Sequence, residues 1–181
     1  MNHFSQTRLI GGAFLDETPA GSLAVGISEK GLARLFFCDR EGYIHFLADN
    51  DLPEDNPTEG LLGEVFREIR EYFLGDRKSF DLPLDLSGQS VFREKALREC
   101  ARIPFGQVVT YGELAARAGN PNAARAAGGA MANNPIALVI PCHRVVGSDK
   151  ALHGFSSPGG LTTKAILLRH EGIKIESERV V

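Results

Sequence analysis

The chain has 181 residues with a formal net charge of −3, and 43% of them are apolar, which is typical of a soluble globular protein. No stretch approaches the roughly 18 consecutive apolar residues of a membrane span. The polar start, "MNHFSQTRLIGG", lacks the basic and apolar regions of a signal peptide. We therefore expect a cytoplasmic protein with no membrane partner.

The first half of the chain predicts a small sheet followed by a helix. Three short apolar runs, "GSLAVGIS", "LARLFF" and "YIHFLA", are separated by Gly and Asp residues of the kind that tight turns need, which predicts a meander of three strands. Residues 58–75 carry apolar side chains at helical spacing, and the helix is expected to cover the sheet and to end at Gly75. Residues 76–89 contain proline and turn residues and predict an extended linker.

The second half begins with a predicted helix over about 90–103, followed by the pattern of a helix-turn-helix. Thr110 and Glu113 form a capping box (T-x-x-E) that starts one helix, and Gly119 ends it. Asn120 is expected to cap the next helix, with Pro121 at its first position. A final amphipathic helix is predicted before Gly172.

The second helix of this pair has an unusual composition. Apart from Arg125, the stretch "NAARAAGGAMANN" is nearly all Ala and Gly, and a glycine in a helix interior costs roughly 1 kcal/mol relative to alanine. Close packing against another helix and close approach to a ligand such as a narrow DNA groove are both possible reasons. The helix has too few polar side chains to read base edges in a major groove, which favours contact that is independent of DNA sequence.

Charge differs between the two halves of the chain. Residues 1–85 contain 8 Lys and Arg against 16 Asp and Glu, a net charge of −8, whereas residues 86–181 contain 12 against 7, a net charge of +5. Phosphate contacts need Lys and Arg where a protein touches a polyanion. The second half is therefore the better candidate for contact with nucleic acid, although chance segregation also explains so modest a charge.

Three cysteines, an odd number at wide separations, argue against a disulfide framework and for a reducing compartment. Cys38 and Cys100 lie in apolar surroundings and are interpreted as core thiols. Cys142 differs because His143 follows it directly in "PCHRVV". A zinc site is disfavoured, since two adjacent side chains cannot easily converge on one tetrahedral ion and no C-x-x-C pair is present. We expect neither a metal nor another cofactor.

The adjacent cysteine and histidine allow several interpretations. A free thiol is mostly protonated at neutral pH, and His143 is placed to accept its proton directly or through one water. A carboxylate behind the histidine would hold its tautomer. On spacing alone, a buried cysteine beside a hydrogen-bonded histidine is the favoured interpretation. A thiol hydrolase dyad would use the same nucleophile and base, but adjacent side chains in a single turn are poor geometry for a direct dyad. The spacing does not choose among the acidic residues of the second half, which besides the capping Glu113 are Glu94, Glu99, Asp149, Glu171, Glu176 and Glu178.

The motifs of the second half resemble those of the O6-alkylguanine-DNA alkyltransferases, also called methylated-DNA-protein-cysteine methyltransferases. The resemblance is carried by "IPFGQVVTYGELA", "NAARAAGGAMANNP", "IPCHRVV" and "GGLTTKAILLRHEG", and more weakly by "GSLAVGISEKGLARLFF". It implies an α+β protein with a small ribonuclease H-like lobe of sheet and helix over residues 1–85. A mainly helical lobe over residues 86–181 would carry the helix-turn-helix and the active-site cysteine.

The resemblance also implies an activity and an order of roles. The family transfers an alkyl group from guanine O6 in double-stranded DNA to its own cysteine, irreversibly, so that each molecule reacts once. We expect no cofactor, and we expect a monomer because a stoichiometric repair protein has no need to oligomerise. Cys142 would be the acceptor and His143 its base. Glu171 would be the carboxylate behind the histidine, and Asn134 would hold this hydrogen-bonded segment.

Contacts to DNA are implied by the same motifs. The second helix, with Ala124 and Gly128, would lie in the minor groove, where small residues permit close contact. Arg125 would take the place of the extruded base, and Tyr111 would help to rotate the nucleotide out. The residues expected to read the base edge are the backbone near Val145 and either Ser156 or Ser157.

The loop "GSDKALHGFSSPGGL" is slightly longer than the commonest family loop, which leaves the choice between the two serines open. A DNA-binding module that only senses lesions is the remaining alternative. It would use the helix-turn-helix and leave Cys142 idle.

Overall fold

The computed structural model describes residues 7–54 and 58–181, and the chain divides into two units, Met1–Gln89 and Ser90–Val181. The first unit contains an antiparallel sheet in the order β1-β2-β3. Its strands are β1 (Gly11–Leu15), β2 (Leu23–Ser28) and β3 (Gly31–Phe37). Two of these strands, β2 and β3, were predicted from apolar runs. We did not predict β1, whose pattern is weakened by two leading glycines.

The third predicted strand is wrong, because "YIHFLA" lies within helix α1 (Arg40–Asn50). Asp39 caps this helix by accepting a hydrogen bond from the Gly42 amide at 2.8 Å. The helix lies directly against the sheet, since a Cβ added to Gly12 would meet Leu47 at 2.9 Å. A six-residue apolar run does not distinguish a strand from a buried helix turn. The N-terminal cap and the packing against glycine favour the helix.

Helix α2 (Gly60–Leu74) confirms the helical spacing seen in the sequence. It packs against β1 and β2, and Gly75 ends it with a φ of 86°, a left-handed conformation that glycine adopts at little cost. Its buried side chains are Leu62, Val65, Phe66, Glu68, Ile69 and Tyr72.

Residues 76–89 lack regular helix and strand but are more than a linker. The Leu32 amide donates to the Pro83 carbonyl at 2.8 Å, and the Asp85 amide donates to the Leu32 carbonyl at 2.8 Å. The segment therefore follows the free edge of β3 and belongs to the first unit.

The second unit is mainly helical. It contains α3 (Val91–Ala101), α4 (Tyr111–Arg117), α5 (Ala124–Ala132) and α6 (Gly160–His170). Helices α3, α4 and α5 pack against one another, which buries the small residues of α5 that face the unit's interior. None of the helices in the described part of the chain has the length and apolar character that a bilayer crossing requires.

Helices α4 and α5 form the predicted helix-turn-helix, with one correction at the turn. The capping box is present: Thr110 Oγ1 accepts from the Glu113 amide at 3.1 Å, and the Glu113 carboxylate accepts from the Thr110 amide at 2.6 Å. The predicted cap at Asn120 and the predicted helix start at Pro121 are both wrong, because α5 begins at Ala124. The side chain of Asn120 instead accepts from the Asn122 amide at 3.2 Å and stabilises the turn.

Short strand pairs connect the helices of this unit. Strand β4 (Val109–Thr110) pairs in parallel with β5 (Val145–Val146), which places the start of α4 beside the segment that follows Cys142. A C-terminal hairpin joins β6 (Ile175–Glu176) to β7 (Arg179–Val180). The hairpin also contacts the loop after β5, through a hydrogen bond of 2.8 Å from the Leu152 amide to the Glu178 carbonyl.

Candidate active site

The chain reaches Cys142 through a short buried segment that Asn134 braces. Residues 136–140 are all buried. The side-chain nitrogen of Asn134, Nδ2, donates to the Ile140 carbonyl at 2.7 Å, and its side-chain oxygen, Oδ1, accepts from the Ile136 backbone amide at 3.1 Å. One side chain thus closes the segment at both ends, immediately before the Pro141–Cys142 peptide. A hydrogen bond between Asn134 and Cys142 adds a direct contact to the thiol.

Cys142 opens a 3-10 turn, Cys142–Arg144, and only 8% of the residue is exposed. Burial raises the pKa of its thiol, while the Asn134 hydrogen bond and the positive charge of Lys164 act in the opposite direction without reversing it. The thiol is therefore protonated at neutral pH and needs a base before it can act as a nucleophile.

His143 is completely buried and is oriented by Glu171. Its Nε2 lies 2.8 Å from Glu171 Oε1. Because a carboxylate only accepts, this contact places the ring proton on Nε2 and leaves the lone pair on Nδ1. Nδ1 has no hydrogen-bond partner among the residues that the structure describes. Burial lowers the pKa of His143, although Glu171 opposes this, so the ring is neutral and able to accept a proton.

Glu171 also binds the next residue in the turn, Arg144. The Arg144 Nε lies 2.9 Å from Oε2, and its second guanidinium nitrogen lies 2.8 Å from Oε1. A third guanidinium nitrogen donates to the Ile103 carbonyl. Burial raises the pKa of Glu171, but the hydrogen bonds from His143 and Arg144 and the positive charge of Arg144 outweigh it and hold the pKa at about 2. The carboxylate therefore stays ionised, and the buried guanidinium has its counter-charge.

Arg144 and Lys164 are two buried cations that the sequence interpretation missed. Lys164 has no exposed surface, and its amine donates to the carbonyls of Val145 at 2.7 Å and His153 at 2.9 Å. A signal was available for Lys164, because it precedes the apolar Leu167 and Leu168 by three and four residues and so shares their buried face. No comparable signal marks Arg144, which sits outside any periodic element.

The two candidate serines of the loop are in different environments. Ser156 is exposed, and its hydroxyl donates to the Ala132 carbonyl at the end of α5 at 2.8 Å. The hydroxyl oxygen of Ser157 is buried and has no partner among the residues that the structure describes. Ser156 therefore ties the loop to α5, while Ser157 retains an unused donor and acceptor.

Apart from Arg125, the outer face of α5 carries small residues. Arg125 and Gly129 are exposed and Ala124 is partly exposed, whereas the helix buries Ala127, Ala130 and Met131. A Cβ added to Gly129 would meet nothing within 4 Å, so packing inside the unit does not explain this glycine.

Tyr111 connects α5 to the thiol. Its ring would lie 3.8 Å from a Cβ added to Gly128. Burial raises the pKa of the Tyr111 hydroxyl, and negative charge on Cys142, when its thiol is ionised, raises it further. Tyr111 therefore lies beside Gly128 of α5 and within electrostatic range of Cys142. The backbone of Val145 is buried next to the turn, and its carbonyl is the one that Lys164 holds. Among the residues that the structure describes, no group of three or more His, Cys, Asp and Glu is arranged to hold a metal ion.

Family models and curated proteins match both units of the chain. Residues 91–173 match the model of the 6-O-methylguanine DNA methyltransferase DNA-binding domain, and residues 13–86 match the model of its ribonuclease-like domain. A methylated-DNA-protein-cysteine methyltransferase described as constitutive, from Bacillus subtilis, is 36% identical over 163 residues, which cover 90% of this chain and 96% of the relative. A protein of the same name from Methanosarcina acetivorans is 36% identical over 86% of this chain and 95% of its own length.

Solved structures give the same result. The crystal structure of Mycobacterium tuberculosis O6-methylguanine methyltransferase superposes with a TM-score of 0.75 at 30% identity, covering 92% of this chain and 95% of the other. A crystal structure of Mycobacterium tuberculosis OGT in complex with DNA superposes with a TM-score of 0.75 at 32% identity, covering 90% and 92%. The α+β fold expected from the sequence is thereby confirmed, and the chain belongs to the 6-O-methylguanine DNA methyltransferase family.

Proposed function

We propose that this protein repairs double-stranded DNA by transferring the alkyl group of O6-alkylguanine to its own Cys142 in a reaction that each molecule performs once. The observation that carries the proposal is the buried series of Cys142, His143 and Glu171, in which a protonated thiol is followed by a neutral imidazole with a free Nδ1 and an ionised carboxylate. Membership of the family supports the choice of DNA as the substrate.

The proposed chemistry needs one proton transfer before the alkyl transfer. The Cys142 proton passes to His143 Nδ1, directly or through one water, and Glu171 stabilises the imidazolium that results. The thiolate sulfur then attacks the alkyl carbon, so that an S–C bond forms as the bond from that carbon to guanine O6 breaks. The electron pair of the broken bond remains on guanine, which takes up a proton. A thioether at Cys142 cannot ionise again, which limits each molecule to one reaction.

Guanine O6 is out of reach inside a base stack, so the nucleotide has to be flipped out at a cost of a few kcal/mol. We assign α5 to the minor groove, with Ala124 and Gly128 allowing close approach. Arg125 is exposed on this helix and is proposed to fill the space of the extruded base. Tyr111, beside Gly128 and close to Cys142, is proposed to guide the nucleotide and to hydrogen-bond the base.

Ser157, rather than Ser156, is proposed to read the base edge together with the backbone at Val145. The environments of the two hydroxyl groups support this choice, because the Ser156 hydroxyl already bonds Ala132 whereas the buried Ser157 hydroxyl has no partner in the described residues. Asn134 keeps its proposed role of holding the segment that carries Cys142.

The remaining assignments concern the whole chain. We propose that residues 1–85 support the reacting lobe, residues 86–181, without contributing a reacting group. We also propose a cytoplasmic location and a monomeric state. Free thiols at Cys38, Cys100 and Cys142 support a reducing compartment.

Intact-mass measurement and peptide mapping test the proposed function. After incubation with duplex DNA containing one O6-methylguanine, we expect a mass gain of one methylene group per protein, located on Cys142. The Cys100→Ala variant, which lacks the other fully buried thiol, should gain the same mass. Lesion binding without an adduct would leave only a sensor, and product beyond one equivalent would contradict the single reaction.

Gly129→Ala tests the assignment of α5 to the groove. The substitution should raise the free energy of unfolding by about 1 kcal/mol, because alanine favours a helix interior and its methyl group has open space here. It should also weaken binding to duplex DNA, because the methyl group would stand on the face assigned to the groove. Thermal unfolding and fluorescence anisotropy measure the two effects. A stabilised variant with unchanged DNA affinity would remove this face of α5 from the interface.

A further inference from the structure

Lys164 is a buried cation without a buried anion. Its side chain is completely inaccessible, and its amine donates to the carbonyls of Val145 at 2.7 Å and His153 at 2.9 Å. No carboxylate in the described part of the chain lies within ion-pair distance of it. The contrast with Arg144 is sharp, because Arg144 has Glu171 as its counter-charge. An unpaired buried charge is costly, so this arrangement calls for a reason.

The position of the ammonium group suggests that reason. Val145 directly follows the 3-10 turn Cys142–Arg144, and α6 packs against this turn. Two carbonyls on different segments hold the amine there, so it cannot move away without breaking both hydrogen bonds. Burial lowers the pKa of Lys164 to about 8, and charge on Cys142 opposes the lowering. The amine is therefore mostly protonated at neutral pH, and its charge interacts with Cys142 when the thiol is ionised.

The other groups around the thiol that the structure describes supply no second cation of this kind. Asn134 on one side offers a neutral hydrogen bond. Cys100 from α3 and Tyr111 from α4 also interact with Cys142, and burial raises the pKa of both, so they remain neutral at pH 7. His143 follows in the chain and is neutral in the resting protein, while Arg144 is bound by Glu171. Among the residues that the structure describes, Lys164 is the cation whose charge lowers the pKa of Cys142.

We propose that Lys164 is a positioning residue of the transfer reaction, held by the Val145 and His153 carbonyls so that its charge favours the thiolate form of Cys142. The role of Lys164 in alkyl transfer rests on the proposed function. The effect of its charge on the Cys142 thiol does not, and it is measurable without DNA. In the resting thiol state no residue in the described ranges gives the ammonium a counter-charge. Loss of the Cys142 proton to His143 supplies one, so the same step that creates the nucleophile also relieves the isolated cation.

The proposal predicts the direction in which the thiol titration moves when the charge is removed. The rate of Cys142 alkylation by iodoacetamide, without DNA, is measured over a pH range of about 6 to 10 by mass spectrometry of the Cys142 peptide. In Lys164→Gln the midpoint should rise by about one pH unit, which is about a tenfold lower rate at neutral pH. Glutamine retains a hydrogen-bond donor for the Val145 and His153 carbonyls but carries no charge. The second variant, Lys164→Met, removes the donor as well as the charge, and its midpoint should also rise.

The direction separates charge from packing. Loosened packing would expose Cys142 and lower its midpoint, because burial is what raises its pKa. Lys174→Met is the matched control, since Lys174 is an exposed lysine of the same unit, and its midpoint should equal that of the unmodified protein. An unchanged or lowered midpoint in Lys164→Gln overturns the proposal, as does an equal rise in Lys174→Met.

The proposed function fails in a different way from this inference. If the unmodified protein gains no methyl group from O6-methylguanine DNA while the Lys164→Gln midpoint still rises, the alkyl transfer is wrong and the role of Lys164 toward the thiol stands. If transfer occurs and the midpoint does not rise, only the role of Lys164 is wrong.

Discussion

Glu171→Gln is expected to destabilise the second unit by about 3 kcal/mol and to slow alkyl transfer on the order of a hundredfold. The variant keeps the shape of the side chain but removes the charge that lies within 2.8 Å of both His143 and Arg144. The buried Arg144 guanidinium would then lack a counter-charge, which is a large penalty in a site that excludes water. The imidazolium formed when His143 accepts the Cys142 proton would lose its stabilising partner as well.

The pH dependence of this effect has a definite sign. The pKa of Glu171 is held at about 2 in the folded protein, below the ordinary value of 4.5. Its carboxylate therefore contributes stability that is fully present above about pH 4.5 and is lost as the pH falls toward 2. Urea unfolding of the protein and the variant should differ by roughly 3 kcal/mol at pH 7, and the difference should shrink through this acid range.

Glu176→Gln is the matched control for that experiment, because Glu176 is an exposed carboxylate five residues further along the same unit. We expect its free energy of unfolding and its transfer rate to equal those of the unmodified protein. A Glu171→Gln variant with the same transfer rate would remove Glu171 from the mechanism, whatever its stability.

Periodicity and caps predicted the elements whose apolar residues all lie on one face. Helix α2 is the clearest case, since Leu62, Val65 and Ile69 recur at helical spacing and a glycine follows the last turn. Prediction failed for α1, where a six-residue apolar run resembles a strand. It also failed at the start of α5, where the Asn120 side chain satisfies a turn amide rather than a helix amide. In both places the local sequence signal fits two kinds of element, and the folded chain uses the one that we did not predict.

The candidate site was only partly accessible from the sequence. The adjacency of Cys142 and His143 is local, but nothing in the residue pattern distinguishes Glu171 from the other carboxylates of the second half. The family resemblance pointed to it, and the structure places it 2.8 Å from His143 across 28 positions of the chain. Arg144 and Lys164 escaped prediction because charged residues are normally exposed. Their burial depends on partners that only the folded chain brings together.

Cys142→Ala is expected to abolish alkyl transfer while leaving binding to lesion-containing duplex DNA intact. The substitution removes the sulfur that accepts the alkyl group. It leaves the Asn134 hydrogen bonds to Ile136 and Ile140 in place, so the segment should keep its conformation. It also leaves Arg125, Tyr111 and the outer face of α5 unchanged. Adduct mass and fluorescence anisotropy with O6-methylguanine duplex measure transfer and binding on the same sample.

Cys142→Ala distinguishes alkyl transfer from lesion sensing because DNA binding and adduct formation are measured separately on the same sample. A sensor that leaves Cys142 idle predicts that the unmodified protein forms no adduct, so that Cys142→Ala and the unmodified protein behave alike in both measurements. Transfer to Cys142 predicts that they differ only in the adduct. Cys100→Ala supplies the matched control, since it removes a thiol that is fully buried in α3 and, unlike Cys142, has no histidine next to it in the chain. Residual transfer in Cys142→Ala would place the acceptor elsewhere, and the base at His143 would then have no thiol to activate.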